Sequence, residues 1–130
     1  MMVADSSVIV AAVSSWHTRH VDADSALPPA VVGHALVESY SVLTRLPEPM
    51  RVDRILAAEV LRSRIHDVLT LSADDTLSVP QKLSELGIGG GATYDALIAL
   101  TALAHDATLL TLDERAAINY RRCGVTFQLL

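Results

Sequence analysis

Cysteine is nearly absent from this chain, with Cys123 standing alone among 130 residues. A lone thiol excludes a disulfide framework and any cysteine-built zinc site. Aromatics are scarce as well: one Trp, one Phe and three Tyr leave the core to Leu, Val, Ala and Ile. Lysine is confined to Lys82, the other nine of the ten basic residues being Arg. A net charge of −5 argues against gripping nucleic acid through bulk electrostatics, although Arg suits local bidentate contacts to phosphate. The long apolar stretch Ala96 to Ala104 is broken by Thr101 and falls short of a membrane span. Asp5 interrupts the first apolar segment, so no secretory leader is read there. These shortages favour a cytoplasmic protein with no membrane role.

What is present is 51% apolar residues, enough for a sizeable core in a chain of 130. No repeat, low-complexity tract or linker interrupts it, so residues 1–130 are read as one domain. Strand-length apolar runs alternate with helical patterns. Met2-Val3-Ala4 predicts a short strand, with Ser6 or Ser7 capping a helix to about Ser15. A polar turn and short helix fall within 16–24, and Leu27 to Val31 is extended around Pro28 and Pro29. Leu36, Tyr40 and Leu43 share a helical face within about 33–46, which Pro47 and Pro49 end.

A second helix covers about 52–66, followed by a strand at Val68 to Leu71. Asp74 or Asp75 caps the next helix, with Pro80 in its first turns and Gly87 at its end. Past the joint Gly89-Gly90-Gly91, Thr93 caps an apolar helix from Tyr94 to His105. A strand at 107–112, a helix at 113–122 and a last strand at 125–129 complete the chain. Helices between strands imply a parallel sheet with right-handed crossovers, and so an α/β three-layer sandwich.

In such sheets, function collects at the carboxyl ends of the strands. Asp5 ends the first strand and Asp113 the strand at 107–112. Asp95 lies in the first turn of the helix after the glycines, and Glu38 sits in Ala35-Leu36-Val37-Glu38-Ser39-Tyr40. Each has a plain alternative: Asp5 and Asp113 as helix caps, Asp95 complementing a helix dipole, Glu38 paired with Arg45. Together they can converge. Crowded carboxylates must protonate or be neutralised by a cation, and oxygen-only ligands select hard ions such as Mg²⁺ or Mn²⁺. Such an ion positions and acidifies water for attack on a phosphodiester.

The chain resembles the PIN domain, specifically the VapC-type toxin ribonucleases of type II toxin–antitoxin pairs. The likeness rests on Val3-Ala4-Asp5-Ser6-Ser7, Leu36-Val37-Glu38-Ser39-Tyr40 and Leu43-Thr44-Arg45-Leu46. It continues through Tyr94-Asp95-Ala96-Leu97-Ile98-Ala99 and Leu110-Thr111-Leu112-Asp113-Glu114-Arg115-Ala116 to Tyr120 and Gly124-Val125. It implies a single PIN domain over 1–130, with a PIN-like parallel β-sheet flanked by helices. It implies a Mg²⁺-dependent endoribonuclease, Mn²⁺ substituting, with Asp5, Glu38, Asp95 and Asp113 forming the acidic pocket. Asp5 and Asp95 would be the firmest metal ligands, while Glu38 and Asp113 complete a second site or act through water. Thr111 would orient a water on the metal, and Arg115 would meet a substrate phosphate or pair with Glu114. The implied partners are an RNA substrate, a VapB-type antitoxin that places an Arg among the carboxylates, and a second copy in a homodimer.

Competing readings are a housekeeping PIN nuclease of RNA maturation and, from another class, a phosphoacceptor signalling domain. The latter wants an acceptor Asp after the central strand and a nearby Lys, whereas Val68 to Leu71 runs into Ser72 and Lys82 falls in a helix. A catalytically silent binding module would show no metal response. His17 and His20 read as a polar loop, since no third ligand accompanies them. The glycine run lacks the Lys-Ser/Thr of a phosphate-binding loop.

Overall fold

The computed structural model describes residues 1–130, beginning with strand β1 (Met2–Ala4), whose Val3 and Ala4 are completely buried. Asp5 stops this strand. One of its carboxylate oxygens accepts from the backbone N–H groups of both Ser7 and Val8, starting helix α1 (Ser6–Val13). The cap is therefore Asp5 rather than Ser6 or Ser7, because a carboxylate can satisfy two orphan donors of the first turn at once. Helix α2 (His20–Ala26), strand β2 (Ala30–Val32), helix α3 (Gly33–Arg45) and helix α4 (Arg54–Arg64) follow.

Strand β3 (Asp67–Leu69) lies slightly earlier than the apolar run predicts, because only Asp67, Val68 and Leu69 find partners on β2. Helix α5 (Ala73–Leu86) is capped by Ser72, whose hydroxyl accepts from Asp75 N–H, so Asp74 and Asp75 are first-turn acids rather than caps. This earlier start places Pro80 in the helix interior, where it forfeits one helical hydrogen bond. Gly87 ends α5 in the left-handed conformation (φ +69°), as its position predicts. Helix α6 (Ala92–Ala104) starts after Gly91 with no side-chain cap, and Thr93 lies inside it. Strand β4 (Thr108–Thr111), helix α7 (Glu114–Cys123) and strand β5 (Phe127–Leu129) complete the chain.

All five strands are parallel, in the order β3-β2-β1-β4-β5. Helix α1 packs with α2 and α3, α3 with α4, and α6 with α5 and α7. This is the α/β sandwich that the alternation predicts. Its core combines Val3, Val8, Ile9, Val31, Val32, Leu43, Ile98 and Leu109, and Tyr120 is its one large buried aromatic. Each such aliphatic side chain contributes about 1.5–3 kcal/mol relative to full exposure. No helix is long and apolar enough to cross a membrane.

The strand order positions the site. The chain builds outward from β1 through β2 to β3, then returns to the other side of β1 for β4 and β5. The carboxyl ends of β1 and β4 therefore flank the point where strand order reverses, the usual place for a ligand crevice in an open parallel sheet.

Candidate active site

Ala4 pairs with Leu110, so Asp5 and Asp113 leave adjacent strands on the same side of the sheet. Asp5 N–H donates to Leu110 C=O at 3.1 Å. Ser7 ties the two ends together: its hydroxyl contacts Asp5 Oδ1, accepts from Leu112 N–H at 2.8 Å, and lies 3.4 Å from Thr111 Oγ1. Thr111 in turn accepts from Asp113 N–H at 3.0 Å. Asp113 Oδ1 accepts from Arg115 N–H at 2.9 Å and Ala116 N–H at 3.2 Å, which caps α7. Both plain readings of these acids hold, since each caps a helix, and capping is what aims each one.

Thr111 sits on the inner side of this strand end. It is completely buried, with its hydroxyl occupied by Asp113 N–H and Ser7. It links Ser7 to the turn that presents Asp113.

Glu38 reaches the same neighbourhood from α3. One oxygen accepts from Ser6 Oγ, and the other lies 3.7 Å from His34 Nε2. The Arg45 pairing does not form; that guanidinium instead donates to Ser41 Oγ at 3.1 Å, one turn back on its own helix. Asp95, from the start of α6, accepts from Asn119 Nδ2 at 3.0 Å. Burial pushes the Asp95 carboxyl above its ordinary value against the Asn119 bond, and the negative charges of Asp113 and Glu38 raise it further. Burial raises Asp5 as well, opposed by hydrogen bonds from Ser7, Thr111, Tyr120 and Val8.

Tyr120 is the buried partner of this centre. Its phenol donates to Asp5 Oδ2 at 2.8 Å. Burial and then the charges of Asp5, Asp95 and Asp113 push the phenol far above its ordinary range, so it remains a proton donor. Asp5 is tied to Asp113 through Ser7 and Thr111, Glu38 is held by the neighbouring Ser6, and Asp95 is reached from α7 by Asn119, next to the Tyr120 that holds Asp5. Their access differs: Asp5 is 2% exposed with both oxygens hydrogen-bonded, whereas Glu38 and Asp113 line an open groove of about 670 Å³. Ser6, Ser7, His17, Arg19 and Arg115 line the same groove. Arg115 makes no ion pair with Glu114 and is exposed, leaving its guanidinium free over the groove. A larger apolar groove of about 800 Å³, bordered by Leu36, Tyr40, Leu61, Ile65 and Val68, contains none of the four acids.

No three Asp, Glu, His or Cys side chains come close enough to hold a metal ion by themselves. The donor chemistry nevertheless fits one class of ion. The oxygens are hard, one or two of them can bind directly, and the cost of a charged Asp95, set first by burial and then by Asp113 and Glu38, is relieved by positive charge. That fits Mg²⁺, which takes one or two carboxylates and keeps several waters. A transition-metal pair at His17 and His20 is not formed: His17 Nδ1 accepts from Arg19 N–H, and His20 Nδ1 meets Ala11 C=O at 2.9 Å.

Sequence reading missed Ser7 as the tie between strand ends, Asn119 as the Asp95 partner, and His34 beside Glu38. Ser7, two residues past Asp5, carries the local spacing of a side-chain turn; Asn119 and His34 carry no comparable signal. The hydroxyl of Tyr120 gives a direct test. Tyr120→Phe is expected to lower stability by about 1.5–3 kcal/mol, the range for a hydrogen bond to a charged group. It should also raise the Asp5 carboxyl further, since a bond favouring its charged form is lost. Denaturant unfolding and carboxyl titration by NMR measure the two effects.

Comparison with known proteins identifies the family. The PIN domain family matches residues 2–121. Ribonuclease VapC27 of Mycobacterium tuberculosis is 41% identical, with the alignment covering 95% of this chain and 93% of that protein. Ribonuclease VapC40 of the same organism is also 41% identical, covering 100% of this chain and 99% of that protein. Among solved structures, PAE2754 from Pyrobaculum aerophilum aligns with a TM-score of 0.59 at 21% identity, over 98% of this chain and 92% of that one. At that identity the structural likeness carries the fold alone.

Proposed function

Because this chain belongs to the PIN-domain family, in its VapC-type ribonuclease branch, we propose that it is a Mg²⁺-dependent endoribonuclease and the toxin of a type II toxin–antitoxin pair. The observation that carries this reading is the placement of Asp5 and Asp113 at adjacent parallel strand ends, with Glu38 held by Ser6 beside Asp5 and Asp95 held by Asn119 beside Tyr120. Asp5 and Asp95 would hold the ion, with Glu38 and Asp113 acting through water or at a second position. When bound, Mg²⁺ (or Mn²⁺) offsets charge building on the phosphate and makes a water more acidic.

The chain's own groups supply the rest. Ser7 and Tyr120 hold Asp5 in orientation, Asn119 holds Asp95, and Ser6 holds Glu38. Arg115 and Arg19 border the groove where a phosphodiester would lie and give the local cationic contacts that the net charge of −5 does not. Thr111 acts from within, fixing the turn that presents Asp113. The same reading supplies a VapB-type antitoxin as inhibitor, a homodimer as the resting assembly and the cytoplasm as location. An antitoxin arginine among these acids would replace the cation's charge. The phosphoacceptor alternative has no support here, since Lys82 lies on the exposed face of α5.

Purified protein is expected to cut RNA with Mg²⁺ and to stop on chelation. Expression without antitoxin should arrest growth, and Asp95→Ala should relieve the arrest while the protein accumulates. No RNA cleavage at any divalent ion concentration overturns the nuclease reading. Cleavage with equal arrest by both forms overturns catalytic toxicity and returns the chain to RNA maturation.

A further inference from the structure

In a chain with so few aromatics, where the exposed ones lie carries information. Tyr120 is in the core, Phe127 packs edge-on against it, and Tyr40 is half-buried against the core. Only Trp16, 48% exposed, and Tyr94, 56% exposed, present large aromatic surface to solvent. Exposure by itself is ordinary, since Leu77 and Ile55 are more exposed than either ring; the position of the two rings is what distinguishes them. Each packs on a histidine of the acidic site, Tyr94 on His34 and Trp16 on the groove-lining His17.

Tyr94 immediately precedes Asp95, and one face of its ring is backed by His34, nearly parallel at 5° with centroids 5.5 Å apart. His34 also reaches Glu38. Trp16 leans on His17 at 5.5 Å and 43°, and His17 lines the groove with Arg19, Glu38, Asp113 and Arg115. Helix α3 orders these parts. His34, Glu38 and Val42 lie at i, i+4 and i+8 on one face, spanning about 12 Å; Val42 lines the groove together with His17. A path along α3 therefore runs from Tyr94, stacked on His34, past Glu38 to the Arg-bordered groove, where Trp16 packs behind the lining His17.

We propose that Tyr94 and Trp16 are nucleobase-stacking stations that bind the bases on either side of the cleaved phosphodiester, an inference that rests on the nuclease reading above. Charge favours this occupant. Arg115 has no ion pair, and Arg19 commits only Nε to Asp22, at 3.2 Å, so both can meet backbone phosphates while the rings take the bases. The ring faces are open in this arrangement only to unpaired bases, because in a duplex both faces of each base are already stacked. His34 and His17 act as positioning residues, holding each ring in place.

The single tryptophan provides a readout independent of turnover. On mixing with a short single-stranded RNA, before appreciable cleavage, Trp16 fluorescence should be quenched; the same sequence as a duplex should leave it unchanged. Tyr94→Leu and Trp16→Leu should each raise KM about ten-fold, within the range for one lost base stack, with kcat and melting temperature near wild type. Trp16→Phe should restore most of the loss. Absence of quenching by single-stranded RNA, or unchanged KM in both Leu variants, overturns the proposal and leaves the rings as protein-contact groups. Should the wild-type protein cut no RNA, the nuclease reading falls, and the quenching titration still decides whether these rings bind bases.

Discussion

The Asp5→Asn protein is expected to fold and to lose at least about a hundred-fold in RNA cleavage, while Asp5→Ala is expected to lose stability as well. The difference lies in what each change removes. Asn keeps an oxygen for Ser7 and Val8 N–H and is as good a helix cap as Asp. Its amide turns toward Tyr120, whose hydroxyl can accept instead of donate. The carboxylate at this position is almost fully buried and held away from its ordinary ionisation by that burial, so removing its charge relieves a desolvation cost. What Asn cannot supply is negative charge for a cation, and a metal's contribution to phosphoryl chemistry is several kcal/mol. Ala removes the cap, worth about 0.5–2 kcal/mol, and leaves the buried Tyr120 hydroxyl unpaired, at about 1–3 kcal/mol more. Cleavage assays and denaturant curves on both proteins separate the roles. Near-normal cleavage by pure, folded Asp5→Asn would remove Asp5 from the chemistry and leave it as a cap.

The fold was legible because its signals are local. A strand such as Met2–Ala4 needs only a short apolar run, and α3 announces itself through Leu36, Tyr40 and Leu43 on one face. The acids stood out for a related reason: a carboxylate directly after an apolar run is unusual unless something uses it. Boundaries set by competition between neighbouring donors were harder to read. Ser72 takes the start of α5 ahead of Asp74 and Asp75, and Gly91 starts α6 ahead of Thr93. Pro80 looked like a first-turn proline only because the helix was placed too late. The supporting side chains were not legible at all. Asn119 and Tyr120 meet Asp95 and Asp5 only because α7 packs against α6 and over the sheet, and no spacing in the sequence encodes that contact. Thr111 is buried at the end of β4 beside Ser7, a placement that its residue type alone does not announce.

Mg²⁺ and acid should both stabilise this protein, and Asp95→Asn should weaken both effects. The Asp95 carboxyl is raised in the folded state by burial and by the charges of Asp113 and Glu38, while in the unfolded chain it returns to about 3.8. Between those two values the native state binds more protons than the unfolded state, so stability falls as pH rises. The contribution is complete below 3.8 and lost as pH climbs through the folded value. In chelator, the melting temperature should therefore rise as pH is lowered from neutral, against the usual trend for carboxylates that cap helices. A bound cation favours the charged form and pulls the Asp95 value back down, so saturating Mg²⁺ should flatten that dependence. One site at a hundred times its Kd adds about 2.7 kcal/mol, roughly 5–10 °C for a chain of this size. Asp95→Asn removes the buried charge and, on the proposed reading, a cation ligand. At neutral pH in chelator it should melt at or above the wild type, yet gain little from Mg²⁺. Differential scanning calorimetry across pH, with and without Mg²⁺, tests both arms. Equal Mg²⁺ gains by wild type and variant would put the cation elsewhere. Parallel pH profiles would show that Asp95 carries no excess charge cost, and the crowding that motivates a metal at this point would be absent.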